Sequence, residues 1–373
     1  MARRLEKDLL EGPAEGRPQS QVTYLGSYEA SYARHRVLQN GLNALGVAVA
    51  EVRDRSFLPW RWIRLATAAR RAPPGTPVVI GEAGNYLTPV LWIAGLGPRR
   101  IVFDTFISLK DTFEDRGGPL VFPTAWGGWL LDRLNCAAAD AVLVDTKQMA
   151  AYFEREIGVP SSKLHVVYLG AETNLFIPQP ERVSRPGRMD VLFYGTFIPL
   201  HGVGVILHAA ALLQVSQPGV QFTLVGAGQE YARMRALARS LALRNVRFWP
   251  RHVPYEELPA LIADADVCLG IFADRPKTMR VIPHKVFQAA ASGRTVVTAD
   301  TPAITEVFSS NDVVLVQPGS AESLASHLAV LAQNPQTRRA VAERGMAIVR
   351  DQYNPARVAQ QLLDAIGESG RTI

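Results

Sequence analysis

The sequence predicts an α/β protein made of two doubly wound units in tandem, each a parallel sheet with helices on both faces. Three observations carry this. Short apolar, strand-like runs alternate with helix-like stretches along the whole 373 residues, the pattern of βα repeats rather than hairpins. That length exceeds what a single core usually fills. The alternation breaks once, near residue 178, into "PQPERVSRPGR", a Pro-rich and charged linker composition.

Taken in order, residues 1–20 are charged, carry Pro and Gly, and hold no apolar stretch of signal length, so they are read as a loose tail. The first unit, 21–180, runs through "VTYL", "VAVAEV", "PVVIG", "RIVFD", "AVLVD" and "HVVYL", with helices between them, as at Ser31–Leu45 and Leu130–Ala139. The second unit, 181–353, follows with "DVLFYG", "FTLVGAG", "VRFWP", "DVCLGIF", "TVVTAD" and "VVLVQP", and helices such as Val203–Val215 and Glu230–Leu241. From about Ala321 the chain reads as helix almost to its end. Ligands of parallel sheets bind beyond the carboxyl ends of the strands, so two facing units predict an interdomain cleft.

Composition narrows the function. An apolar content of 48% excludes large-scale disorder. The apolar runs fall short of the roughly 18 residues of a spanning helix, and a cytoplasmic protein is expected. Cys136 and Cys268 stand apart from any CxxC or Cys/His set and are expected as buried, reduced thiols. The net charge of +6 favours an acidic partner. Nucleic acid is not expected, because there is neither zinc-finger spacing nor an aromatic RNA-binding motif.

Several stretches invite chemistry. "VGAGQEY" has Gly226 and Gly228, but Tyr231 stands where a dinucleotide-binding loop needs its third glycine; a turn passing close to some ligand is the better reading. "DAD", Asp264–Asp266, resembles a metal pair, yet it lies between a helix end and a buried strand and is read as structural, with no metal site. "GTFIPLHG" places Gly195, Thr196, His201 and Gly202 between the first strand of the second unit and its helix, so that amides and an imidazole point into the cleft. "FDTFISLKDTFEDR" ends a strand at Asp104 and continues into a polar loop with Lys110 and Asp111. "RDRSFLPWRWIRLATAARR", Arg53–Arg71, interleaves arginines with aromatics. As a helix, Trp62, Leu65, Ala66 and Ala69 would face the core and Arg61, Arg64 and Arg71 another side, a face suited to solvent or to an anionic membrane.

Most pointed is "RVIPHKVFQAAASGRTVV", where Arg280, His284, Lys285 and Gln288 gather at the start of an apolar helix. Helix starts hold anions, and three potential cations there suggest a phosphate.

With these motifs in this order, together with "AADAVLVDTKQMAAYF", "KLHVVYLGAETNLFIP" and "TPAITEVF", the chain resembles glycosyltransferase family 4 over roughly residues 22–368. The resemblance implies the GT-B fold: two Rossmann-like doubly wound domains facing a cleft, the C-terminal helix, about 354–373, returning to the first domain. It also implies a nucleotide-sugar donor on the second domain, a glycan or lipid-linked acceptor on the first, retention of configuration, and neither metal nor cofactor.

Carried over residue by residue, Lys285 is the expected stabiliser of the leaving diphosphate, with Arg280 and His201 beside it. Gly195, Thr196, Gly202, Gly226, Gly228, His284, Gln288 and Glu306 are the donor side. The acceptor hydroxyl is expected between Gly26, Ser27, Tyr28 and Asp104, the last a further catalytic candidate, with Lys110 and Asp111 nearby. The chain departs from the family in placing Arg280 and Gln288 where a pair of glutamates usually stands. A nucleotide-sugar epimerase and a degenerate, non-catalytic binder are the competing readings.

Overall fold

The computed structural model describes residues 22–368, except 57, 82–86, 94–99, 106, 118–119 and 180–186. The tail 1–20 and most of the expected linker therefore lie outside the described residues.

Among the described residues twelve strands form two sheets. The first holds β1 (Val22–Gly26), β2 (Val49–Arg53), β3 (Val78–Ile80), β4 (Ile101–Asp104), β5 (Ala141–Val144) and β6 (Leu164–Val166), in the order β2-β1-β3-β4-β5-β6. The second holds β7 (Met189–Tyr194), β8 (Val220–Val225), β9 (Val246–Trp249), β10 (Val267–Leu269), β11 (Thr295–Ala299) and β12 (Val314–Val316), in the order β12-β11-β10-β7-β8-β9. Every neighbouring pair is parallel. Strands such as β3 and β5 are continuous Val, Ile, Leu and Ala runs because both faces are covered. The strand order reverses between β1 and β3, and again between β7 and β10, and those switch points open the crevices in which such sheets bind ligands.

Apolar clusters sandwich each sheet. On one face of the first, Leu25, Ile80, Phe103 and Val142 meet Leu65, Leu91 and Cys136 from helices Leu58–Arg71, Leu87–Ile93 and Val121–Ala138. On the other, Val79, Val102 and Leu143 meet Val37, Leu38 and Leu42 of helix Ala33–Ala44 and Val358, Ala359 and Leu362 of the last helix, Pro355–Glu368. The C-terminal helix thus returns to the first domain, as expected.

Gly41 permits that return: a Cβ there would stand 1.9 Å from the Pro355 carbonyl oxygen. Gly41→Val is therefore expected to lift the last helix off its seat, read as rapid proteolysis in residues 355–368 while the rest resists; unchanged protection would show that the close approach can relax.

Both cysteines are buried and unbridged. Leu169, Ala171 and Phe176, ahead of the linker, pack into a cluster with second-domain residues such as Leu192, Phe287 and Ile304. The window Pro199–Ser216 reaches a mean hydropathy of 1.4 over 18 residues, enough by composition to span a membrane and more than the sequence reading allowed. In the fold, however, Ile206, Leu207, Ala210 and Leu213 of helix Val203–Ser216 are core side chains. Asp266 accepts the Asp190 backbone N–H at 2.8 Å, a structural contact between β7 and β10. Among the described residues no three His, Cys, Asp or Glu side chains gather as a metal set.

Candidate functional site

The carboxyl ends of β7 and β8 continue as two loops that still pair with each other. Gly195 donates its N–H to the Val225 carbonyl at 3.0 Å and Phe197 to that of Ala227 at 2.8 Å. Such close passage requires glycine. A Cβ on Gly226 would stand 2.0 Å from the Gly195 carbonyl oxygen, and one on Gly228 2.8 Å from both backbone N and O of Phe197; their φ angles are +136° and +147°. Gly202, at φ +63°, likewise leaves room for the Ala273 backbone, 2.5 Å from a would-be Cβ. Beside these loops lies a cavity of about 250 Å³, walled on one side by Tyr194, Gly195, Thr196, Gly226 and Ala227 and on the other by Arg251, His252, Val253 and Leu258.

Lys285 reaches this place from the first turn of helix His284–Ala291. Its Nζ lies 4.1 Å from the Phe193 ring centroid, and a Cβ on Gly195 would come within 2.9 Å of it. Among the described residues that Nζ has no hydrogen-bonding partner, and burial pushes the amine down to about 7. Here is a cation held in readiness rather than paired.

His201 sits against the same face of Gly195, its Cε1 3.4 Å from the would-be Cβ. Burial, then the Lys285 charge, push its imidazole well below the ordinary range, and its Nδ1 bonds the Thr196 carbonyl. A carbonyl only accepts, so Nδ1 carries the proton and Nε2 is left as an acceptor. Neutral His201 does not donate to a phosphate; it holds the Thr196 loop. One turn beyond Lys285, Gln288 accepts the Tyr194 hydroxyl at 3.1 Å, and that hydroxyl lies 3.2 Å from the Lys285 carbonyl.

Other polar residues tie the two domains together. Arg280 pairs with Asp111 at 2.5 Å, its guanidinium 4.4 Å from the Tyr152 ring centroid, and its carbonyl accepts Thr146 Oγ1 at 2.5 Å. On the same helix, Leu109–Arg116, Thr112 accepts Lys277 Nζ at 2.8 Å and Asp115 pairs with Arg275 at 3.0 Å. Asp132 anchors the start of that helix by accepting Ser108 Oγ and the N–H groups of Leu109 and Lys110, although burial raises its carboxyl to about 6. Glu306 accepts the N–H groups of Lys147 and Gln148 at 2.7 and 3.0 Å and the Tyr168 hydroxyl at 3.1 Å, so it caps a first-domain helix.

Comparison with known proteins fits this arrangement. A family model described as "Glycosyl transferase 4-like domain" matches residues 9–170, and one described as "Glycosyl transferase-like" matches 206–364. Taken together, one match on each domain, the two models support a group 1 glycosyltransferase of the 4-like kind. It is similar to the MMP alpha-(1->4)-mannosyltransferase of Mycolicibacterium hassiacum, 28% identical over 55% of this chain and 48% of that protein. It is also similar to the putative colanic acid biosynthesis glycosyltransferase WcaL of Escherichia coli, 26% identical over 56% and 52%. The matches thus span about half the length of these curated relatives.

Among solved structures, Anabaena HepE in complex with UDP and glucose superposes with a TM-score of 0.72 at 16% identity, over 93% of this chain and 99% of that one. Sucrose-phosphate synthase from Thermosynechococcus elongatus gives 0.73 at 16%, over 93% and 98%. Both share the GT-B fold.

Within that family frame, the fold brings Lys285, His201, Gly195, Thr196 and Gln288 together at the end of β7 and sets Gly226 and Gly228 beside them. It places the other expected residues elsewhere. Asp104 is gripped by Arg34 through Nε at 2.9 and 2.8 Å and Nη2 at 2.6 Å, both side chains fully buried. Tyr28 is packed between Tyr24 and His35 with its hydroxyl on Glu51 at 3.0 Å, and Ser27 Oγ donates to the Asp54 carbonyl at 3.0 Å. Against Gly26, a Cβ would meet the Tyr28 ring at 2.7 Å. Lys110 pairs with Glu114 and Glu156. His284 is pushed down to about 3 by burial and the Arg34 charge and is therefore neutral. Of the three potential cations at this helix start, Arg280 is paired and His284 neutral, which leaves Lys285, titrating near neutral pH.

Arg251, His252 and Leu258 of the cavity wall belong to no motif in the sequence reading. Their signal was positional only: the loop after β9 lies at the carboxyl edge of the sheet. Glu172 was missed as well. It is buried, accepts Arg36 Nε at 2.7 Å and Asn40, and its charge, after burial, raises the Tyr255 hydroxyl that stands between it and Gln288.

Proposed function

We propose that this protein is a glycosyltransferase that takes a sugar from a nucleotide-sugar donor and delivers it to a glycan or lipid-linked acceptor at the cytoplasmic face of a membrane. The observation that carries this reading is Lys285: a buried, unpartnered amine beside Gly195 and next to a nucleoside-sized cavity. The nucleoside occupies the cavity between Thr196 and Arg251, the diphosphate meets Lys285 and the helix-start amides, and the sugar points toward the first domain. As the glycosidic bond breaks, its electron pair goes to the departing phosphate oxygen, where Lys285 meets the developing charge. A fixed donor of this kind lowers the barrier by about 2–4 kcal/mol. In this reading the cation and amides do what a metal does elsewhere, and the departing phosphate takes the acceptor's proton on the same face, retaining configuration.

An epimerase is disfavoured because Arg280 and Gln288 stand where a pair of glutamates would supply its carboxylates, and Asp104 is held on both oxygens by Arg34. A non-catalytic binder would use the same amine to hold a diphosphate, so turnover itself separates that reading from transfer. The test is product analysis with a sugar-nucleotide panel: transfer that survives chelator and yields an α-linkage from an α-donor supports the reading, and inversion or a chelator-dependent rate contradicts it.

Proton linkage gives a second check. In the free protein Lys285 is half protonated near pH 7, whereas diphosphate binding requires the ammonium and raises its pKa. Binding should therefore take up a proton above pH 7, with affinity falling up to about tenfold per pH unit as pH rises. Titration calorimetry of UDP or GDP in two buffers of different ionisation enthalpy reads that proton. PH-independent binding would place the diphosphate away from Lys285.

A further inference from the structure

The helix Leu58–Arg71 buries Leu65 and Ala69, as its sequence pattern requires, yet leaves Trp60 64% and Ile63 57% exposed. Its neighbour Leu87–Ile93 exposes Trp92 and Ile93, and the next helix on the same face of the sheet, Val121–Ala138, exposes Phe122 at 81% and Trp126 at 59%. The first of these helices packs on the second and the second on the third, and all three cover the same sheet face. Scattered exposed apolar residues are ordinary on soluble proteins. Large aromatic and aliphatic side chains on three adjoining helices are not, and they mark a surface with a partner.

Two features say which partner. The helix Leu58–Arg71 carries Arg61, Arg64, Arg70 and Arg71 and no acidic residue, so the apolar patch is edged with positive charge. Tryptophan beside arginine is the side-chain chemistry of a bilayer's interfacial zone. The patch also borders the cleft. In a parallel sheet each covering helix begins at the carboxyl edge, and Trp60, Ile63, Phe122 and Trp126 all lie in the first two turns of their helices. Helix Leu109–Arg116, which bridges to the second domain through Asp111, packs directly on Val121–Ala138.

We propose that these three helix faces form a docking platform for an anionic bilayer, orienting the cleft so that a lipid-linked acceptor enters it from the membrane plane. The proposal deepens the functional reading above and rests on it for the acceptor alone. Trp60, Trp92, Phe122 and Trp126 enter the headgroup region; the arginines meet acidic headgroups.

The test is flotation of the full chain with vesicles of phosphatidylcholine alone and of phosphatidylcholine with phosphatidylglycerol. The expected result is binding to the anionic vesicles, weakened by salt, and reduced roughly tenfold or more by Phe122→Ser with Trp126→Ser. Trp92→Ser, on a separate helix, should weaken it independently. Absence of binding to anionic vesicles, or binding indifferent to these substitutions, overturns the platform. So does a self-associating chain that Phe122→Ser turns monomeric, because the face then belongs to a second copy.

A nucleoside diphosphate thermal shift on the same samples separates the two ideas. A normal shift without vesicle binding sinks the platform alone, and vesicle binding without a shift sinks the donor reading.

Discussion

Lys285→Ala is expected to lower sugar transfer by about 10²–10³-fold without weakening the fold. The two halves of that expectation have one cause. The amine is buried with no hydrogen-bonding partner among the described residues, which is unfavourable in the free protein and is recovered when a diphosphate arrives. Removing it deletes leaving-group stabilisation and also deletes a desolvated charge. The unfolding midpoint should stay level or rise while turnover collapses. Lys285→Arg should not restore turnover, because a planar fork does not fit the space beside Gly195 that a single ammonium occupies. Near-normal turnover of Lys285→Ala would remove this residue from the site.

Asp104→Ala should behave in the opposite way. It leaves Arg34, whose side chain is 2% exposed, without its carboxylate. Breaking one side of a buried pair costs about 3–5 kcal/mol, so a large drop in the urea midpoint is expected, with activity lost in proportion to unfolding. Replacing both partners, as in Arg34→Met with Asp104→Leu, should recover part of the stability, since the pair leaves together while buried Asp145 loses the nearby cation. Recovered stability with recovered turnover would identify a structural pair. A stable but inactive double variant would return Asp104 to the chemistry.

These two residues show what the sequence could reveal and what it could not. The strands were legible because parallel sheets covered on both faces demand uninterrupted Val, Ile and Leu runs, as in β3 and β5. Helix Tyr231–Ser240 fell within a residue of its expected bounds. The gathering of glycines and a lysine at the β7 edge was legible too, since both lie beside a strand end and a helix start in the sequence pattern.

Pairing was not legible. Arg280 looked like a diphosphate ligand, but its partner, Asp111, comes from the other domain, and no local pattern announces a contact so distant in sequence. His284 looked like a cation; only the fold shows the burial and the Arg34 charge that keep it neutral. Gly226 and Gly228 were expected to pass close to a ligand; the fold shows the backbone of Gly195 and Phe197 passing close to them, with Gly226 also on the cavity wall. Arg251 and His252 carry no motif because a cavity wall needs shape, and shape is assembled from loops of three different strands.

The most direct measurement is thermal unfolding of wild type and Lys285→Ala with UDP, GDP, ADP and their sugars, with and without magnesium. A ligand at a hundred times its dissociation constant adds about 2.7 kcal/mol of stability. The account predicts a clear shift for one base in the wild type, the same with or without magnesium, and its loss in Lys285→Ala. A wild-type chain that shifts with none of them, or a variant that shifts as fully as wild type, would contradict it.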